Sequence, residues 1–197
     1  IKEINCGPLI FLGNEFFDAL PIKQIYKKKK LFLEKHVMLG KNKKKIEFTF
    51  KKARKIMIKS IKKLKLINKN NIIEYPIVAI KYLETIAQKI NKYNGSLLMF
   101  DYGYLKNNNK DTLQSVKNHK YSNILHAPGY NDITYHINYK LFSEILKKKK
   151  IKVRKVVNQN EFLQKLGIIE RANILAKKMD FKSKAEIYFR LQKLLHH

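Results

Sequence analysis

Two short clusters carry side chains able to do chemistry. The first is Asn14-Glu15-Phe16-Phe17-Asp18, with Asp101-Tyr102-Gly103 as its distant counterpart. Glu15 and Asp18 are three positions apart, so on a turn or a first helical turn they face the same way. Two carboxylates so placed can hold a cation such as a guanidinium by paired hydrogen bonds. Helix capping explains the same acids, because negative charge near a helix start favours its dipole. Spacing alone leaves both readings open.

The second cluster spans residues 111 to 136 and holds Asp111, Thr112, His119, Asp132, Thr134 and His136, with Pro128-Gly129 as a turn. A long irregular segment inside a compact domain is often functional, and a polar loop closing over a substrate fits it. A surface loop whose Asp and Thr residues satisfy their own turns fits it too. His119, His126 and His136 are close in sequence, but their spacing matches no compact zinc pattern and Cys6 is remote. We therefore expect no metal. P-loop, nucleophile-elbow and GxGxxG patterns are also missing.

The elements that must position these clusters are legible in outline. Pro8 to Leu12 is a continuous apolar run, as is Ser96 to Phe100. Such runs read as strands buried on both faces of a parallel sheet. Each ends where a functional cluster begins, and open α/β sheets bind ligands beyond the carboxyl ends of their strands. Leu31 to Leu39 and Ile46 to Phe50 read as a β-hairpin around a basic turn at Gly40 to Lys43. Lys51 to Ile67 reads as a basic helix, Asn68 to Asn71 as a break, and Lys106 to Lys110 as a loop. Pro76 opens a helix that Asn94-Gly95 stops, with the glycine taking the left-handed conformation. Residues 111 to 137 read as irregular. Asn138 caps a helix from Tyr139 to about Lys149. Ile151 to Val157 alternates like a strand, and helices are expected over 160–166, 168–179 and 183–195. We expect one incomplete domain over residues 1–197, with an inserted hairpin and basic helix over 22–71 and a helical segment over 158–197. The fold class is α/β.

Composition narrows the function. The 197 residues are 45% hydrophobic, with eleven Tyr and eleven Phe, enough for one sizeable core. Cys6 is the single cysteine, so no internal disulfide is available. The formal charge is +28, which by itself suggests a polyanionic partner. Only Arg54, Arg154, Arg171 and Arg190 are arginines, and the lysines are scattered along the whole chain. Nucleic-acid readers favour the planar fork of Arg, so the charge reads better as a Lys-rich compositional bias. No apolar run approaches the roughly 20 residues of a spanning helix. The start at Ile1, without Met or signal peptide, reads as the middle of something longer.

The segment Leu12-Gly13-Asn14-Glu15-Phe16-Phe17-Asp18-Ala19-Leu20-Pro21 resembles the NE-[FL]-[FL]-DALP block of the MidA-type methyltransferases. Leu97 to Gly103 (LLMFDYG), Asp111 to His119 (DTLQSVxxH), Pro128 to His136 (PGYNDITYH) and Glu161 to Ala172 (EFLQKLGIIERA) resemble further blocks of that family, in family order, from about residue 8 to 195. Asn131 stands where the family usually has Ala, and Asn138 where it often has Asp. The end at Leu194-Leu195-His196-His197 precedes a final strand that the family would supply.

The resemblance implies a partial Rossmann-like methyltransferase fold, holding the later strands and helices, with S-adenosylmethionine as donor. Mitochondrial members are linked to arginine methylation of a complex I subunit during assembly. A protein substrate is thus expected, in a mitochondrial matrix or a bacterial cytoplasm. The resemblance puts Asn14 and Asp101 near the donor and makes Glu15 and Asp18 the candidates for orienting an acceptor guanidinium. His119, Asp132, Thr134 and His136 become a substrate-binding loop over the cleft. The donor's glycine-rich loop is expected upstream of Ile1, so this chain by itself is expected to be inactive. A non-catalytic assembly factor on the same scaffold, or a basic nucleic-acid-binding module, are the competing expectations.

Overall fold

The computed structural model describes residues 1, 3–41, 45–67, 72–106 and 110–196. The basic turn at 40–43, the break at 68–71 and the loop at 106–110 lie wholly or partly outside these residues. The chain forms two compact units, Ile1–Val153 and Arg154–His197.

The first unit is built on strand β1 (Leu9–Asn14), which pairs with the later β6 (Gly95–Phe100) in parallel and in register, from Leu9 opposite Gly95 to Asn14 opposite Phe100. Between them in sequence, Lys23–Lys28, Leu31–Leu39 and Ile46–Lys52 form β2, β3 and β4. Helix α1 (Lys55–Lys63), β5 (Ile72–Tyr75) and helix α2 (Ile77–Tyr93) follow. Strands β2 to β5 make a separate antiparallel sheet in the order β4-β3-β2-β5. The expected hairpin is its β3–β4 half. Its β2 and β5 strands were not anticipated, because each is short and lacks a clean two-residue alternation. Helix α1 covers one face, where Ile25, Ala53, Met57, Ile61, Ile73 and Tyr75 form a small core.

The main core joins α2 to a later helix, α3 (Tyr139–Lys148). Ala79, Leu83, Ile86, Ala87 and Ile90 are the buried stripe of α2, recurring at the three- and four-residue spacing of one helix face. Burying an aliphatic side chain as fully as Leu83 contributes about 1.5–3 kcal/mol. Phe11, Leu97 and Met99 reach this core from the strands. The opposite parity does not: Ile10 is 83% and Leu12 70% exposed. The expectation of strands buried on both faces is therefore corrected. Among the described residues, only one face of the β1–β6 pair is covered.

The junction at the end of α2 also differs from expectation. Asn94, not the glycine, takes the left-handed conformation (φ 54°), and Gly95 is already in β6. Glycine is needed there for another reason. A Cβ at position 95 would lie 2.5 Å from the Leu9 carbonyl oxygen, inside the strand pairing.

After β6 the chain makes β7 (Gly103–Tyr104), β8 (Gln114–Lys117), β9 (Lys120–Ser122), β10 (Asp132–Thr134) and β11 (Ile137–Asn138). The segment 111–137, expected to be irregular, thus holds a three-stranded antiparallel sheet in the order β10-β8-β9, while β11 pairs in parallel with β7. Strands of two to four residues with polar side chains carry almost no periodic signal. Helix α3 (Tyr139–Lys148) is capped as expected: Asn138 Oδ1 accepts from Leu141 N at 3.0 Å.

The strand expected over Ile151 to Val157 does not form. The Ile151 amide is taken by the Leu146 carbonyl at the end of α3, and Ile151 and Val153 pack on the main core. Alternation supplied the pattern, but no neighbouring strand among the described residues supplies the hydrogen bonds.

The second unit is α4 (Gln159–Lys165), α5 (Ile168–Ala176) and α6 (Phe181–Leu195). Asn158 caps α4 and Asp180 caps α6, each accepting an amide hydrogen bond of 2.8 Å. Gly167 takes the left-handed turn between α4 and α5 (φ 77°). Ala172 and Ala176 line the contact side of α5, and Tyr188 donates to Asn173 at 2.8 Å across to α6. No helix among the described residues is long and apolar enough to cross a membrane.

Candidate active site

The parallel register of β1 and β6 brings the two carboxyl-end clusters together. Asn14 is opposite Phe100, so Glu15 and Asp101 are the next residues out on neighbouring strands. The Glu15 amide donates to the Phe100 carbonyl at 2.8 Å, carrying the ladder one residue further. Glu15 then turns away with φ 47°, a left-handed conformation that costs a non-glycine residue roughly 1–3 kcal/mol. Its side chain is exposed, as is that of Asn14.

Two residues on, the chain dives inward. The Phe17 ring is 1% exposed and meets Phe142 of α3 edge-on at 5.5 Å. Asp18 beside it is 3% exposed. The Glu15–Asp18 pair is therefore split. One carboxylate faces solvent and the other is buried, because the apolar Phe17 must reach the core.

Asp18 has joined Asp101 instead. The amides of Phe17 and Asp18 donate to Asp101 Oδ2 and Oδ1 at 3.2 and 3.3 Å. Burial, first of all, pushes the Asp101 carboxyl up to about 7. The nearby Asp18 charge and a side-chain hydrogen bond to Asp18 push the same way, and the amide of Phe17 opposes them. Tyr139 donates its hydroxyl to the Asp101 carbonyl at 2.8 Å; burial holds its phenol up at about 12. The Tyr135 amide donates to the Asp18 carbonyl at 3.1 Å. Two buried atoms here, Asp18 Oδ1 and the Tyr135 hydroxyl oxygen, have no hydrogen-bond partner.

A second buried acid lies on β5. Glu74 accepts from the Thr112 amide at 2.9 Å, the Thr112 hydroxyl at 2.6 Å and Gln24 at 3.1 Å. Burial raises the Glu74 carboxyl, and those three donors work against the rise. Thr112 Oγ1 also accepts from the His136 amide at 3.0 Å, which ties β5 to the segment leading into β11. Gln24 further donates to Asp111 Oδ1 at 2.5 Å, and Lys35 lies 3.5 Å from Asp111 Oδ2.

The remaining candidates are spread out. His119 is at the tip of the β8–β9 hairpin. Lys117 pairs with Lys120 there, and Asn118 and His119 both have positive φ (49° and 60°), the pattern of a type I′ turn. Asp132 is exposed on β10. Thr134 accepts from Gln114 at 3.1 Å. His136 reaches the Glu74 network through its backbone. Among the described residues, no three His, Cys, Asp or Glu side chains gather as a metal site. Sequence reasoning did not single out Gln24, Glu74, Tyr135 or Tyr139. Tyr135 lay inside a motif already quoted, and Tyr139 directly follows the Asn138 cap.

A family of S-adenosyl-L-methionine-dependent methyltransferases matches residues 1–157. The chain belongs to that family. The resemblance drawn from the motifs is thereby borne out, with S-adenosylmethionine as the family's donor. The chain is 28% identical over 173 residues to the mitochondrial protein arginine methyltransferase NDUFAF7 homologue of Caenorhabditis elegans, covering 87% of this chain and 40% of that protein. It is 26% identical over 190 residues to the mitochondrial protein arginine methyltransferase NDUFAF7 of Xenopus tropicalis, covering 90% and 41%. It thus spans about 40% of the length of these relatives. Among solved structures, a Burkholderia thailandensis protein superposes with a TM-score of 0.79 at 18% identity, covering 96% of this chain and 52% of that one. A second, bound to S-adenosyl-homocysteine, gives 0.76 at 19% identity, covering 96% and 50%. These likenesses show the α/β methyltransferase fold.

Of the two residues expected near the donor, Asn14 offers an exposed carboxamide at a strand end. Both carboxylate oxygens of Asp101 are already taken by backbone amides. Asn14 therefore fits a donor contact, and Asp101 fits a supporting one.

Proposed function

We propose that this chain forms the acceptor-side part of an S-adenosylmethionine-dependent protein arginine methyltransferase. Glu15 meets the acceptor guanidinium, and Asn14 lies toward the donor. One observation carries the reading: Glu15 is held in a strained left-handed conformation, solvent-facing, directly beyond the carboxyl end of β1. Strained non-glycine residues cluster at functional sites, where the surrounding structure holds them in place. The ladder bond to Phe100 on one side and the buried Phe17 on the other do that here.

The donor, when bound, supplies an electrophilic methyl group. Glu15 would orient the guanidinium nitrogen toward it by charge-assisted hydrogen bonds, and would balance the proton released on transfer. Positioning accounts for much of the rate in such a step. Asp132, Thr134 and His136, with His119, would border the acceptor's path. The naming of the relatives supports arginine as acceptor and a mitochondrial setting; a complex I subunit as substrate, and the matrix or a bacterial cytoplasm as the setting, rest on the motif resemblance alone.

Glu15→Gln tests this. It keeps the size and removes the charge. Transfer from labelled S-adenosylmethionine to an arginine-containing protein substrate should fall by about 10²–10³-fold, with little change in thermal stability. Unchanged transfer would remove Glu15 from the reaction.

A further inference from the structure

We propose that the distal half of the β3–β4 hairpin is a peripheral docking surface for an anionic lipid bilayer. Its apolar face enters the headgroup region, and the lysines around it meet the lipid phosphates. This surface goes beyond the methyltransferase reading and does not depend on it.

The geometry follows from strand lengths. β2 pairs with β3 only from Leu31 to Glu34, whereas β4 follows β3 out to Leu39. Residues 35–39 and 46–50 therefore continue past the sheet as a two-stranded ribbon. Among the described residues, the core beneath α1 takes Phe32 from β3 and no side chain from β4. A two-stranded ribbon without a covered face is marginal in water. Even so, this one carries apolar side chains: Val37 is 59%, Leu39 58% and Phe50 48% exposed, and Met38 and Phe48 are exposed as well. Pairing sets Val37 opposite Phe48 and Leu39 opposite Ile46. Side chains alternate along a strand, so these four and Phe50 share the face turned away from α1.

The face continues past the ribbon. Phe48 shares an open cleft with Leu113, Tyr121 and Ile124, and Tyr121 on the β8–β9 hairpin is 82% exposed. A contiguous apolar surface of this kind marks an interaction site.

Charge selects the partner. Residues 22–71 hold eighteen Lys and one Arg against Glu34 and Glu47, a net +17 out of the chain's +28. Glu34 is buried and paired with Lys23. Among the described residues, no ion pair holds Lys41 or Lys45 at the ribbon's end, or Lys51 or Lys52 at its root. A second copy would bring the same excess charge and be repelled. Single-stranded nucleic acid would need free ring faces to stack on. Here the Lys35 ammonium lies 4.1 Å from the Phe48 ring centre, and Phe50 meets Tyr26 edge-on at 5.1 Å. Val37, Met38 and Leu39 have no ring to offer. An anionic bilayer accepts both features. Peripheral binding grows with the apolar area buried at the acyl boundary and with attraction to anionic headgroups. Lysines can lay their stems along the apolar face and keep their ammonium groups at the phosphates.

The test mixes the full chain with vesicles of phosphatidylcholine containing about one third phosphatidylglycerol, at roughly 0.1 M salt, and reads bound protein by co-sedimentation. Binding should be at least about tenfold stronger than to phosphatidylcholine alone. Val37→Ser with Leu39→Ser leaves the charge unchanged and should weaken binding about tenfold. Lys41→Gln with Lys45→Gln should weaken it about five- to tenfold. Lys177→Gln with Lys178→Gln removes the same charge from the second unit and should change it by less than about twofold. All these side chains are exposed, so thermal unfolding should stay the same in every variant. Equal weakening by the two lysine pairs would mean bulk charge alone. Undiminished binding of the serine variant would mean that the apolar face stays out of the bilayer. Either result overturns the proposal. If the chain bound a single-stranded RNA at the same salt, and the serine variant lost the RNA but kept the vesicles, a nucleic-acid surface would take its place.

Discussion

Asp101 and Glu74 are both carboxyls drawn out of water, and both are pushed toward neutrality by burial. Their neighbours differ. Glu74 is met by a threonine hydroxyl, a threonine amide and a glutamine amide, and its network continues through Gln24 to Asp111 and Lys35. Asp101 is met by two backbone amides and a second acid, and atoms with no partner remain beside it. A satisfied polar network fixes how elements pack, whereas an unsatisfied one stores free energy that function can use. The Glu74 network joins the four-stranded sheet to the segment before β11. The Asp101 pair is under the loop that carries Glu15.

Three substitutions would break or sharpen this contrast. The largest effect is expected from Thr112→Val, which keeps the shape and removes the hydroxyl donor to a buried carboxylate. It should cost about 1–3 kcal/mol in urea unfolding, with methyl transfer per folded molecule little changed. A loss of transfer without a loss of stability would make Glu74 part of the active centre.

Asp101→Asn should act on the pH dependence of stability. The folded-state carboxyl is raised to about 7 from an ordinary value of 3.8. Between those values the folded protein binds more protons than the unfolded chain, so stability falls as pH rises through that window and levels off above it. The asparagine variant should lose that slope. If urea midpoints of the two proteins ran parallel from pH 4 to pH 7, the raised carboxyl would be disproved.

The smallest effect is expected at the hairpin tip. His119 is at φ 60°, where glycine is at ease. His119→Gly should leave stability unchanged or raise it by up to about 1 kcal/mol. If the acceptor's KM stays the same, His119 is a turn residue; a several-fold rise would put it on the acceptor's path.

The chemistry-bearing blocks were legible because they end strong hydrophobic runs. Phe11, Leu97 and Met99 mark the strands, and polar residues follow at once. The α2 stripe and the Asn138 cap were legible for the same reason: local pattern and local chemistry agree. Gln24 and Glu74 were not, since their meaning depends on Thr112, which is far off in sequence. Ile151 to Val157 misled, because alternation records a preference for extended backbone and says nothing of a partner strand. The open face of β1 was hidden likewise, as Ile10 and Leu12 are as apolar as Phe11.

By itself the sequence determined the family, the succession of β1, α2, β6 and α3, and the two acids after β1, all written in short-range hydrophobic pattern and motif. Only the tertiary structure decided that those acids part company, Glu15 to solvent and Asp18 to Asp101. The physical reason is Phe17 between them: the core claims its ring, and that burial turns Asp18 inward toward the neighbouring strand's end.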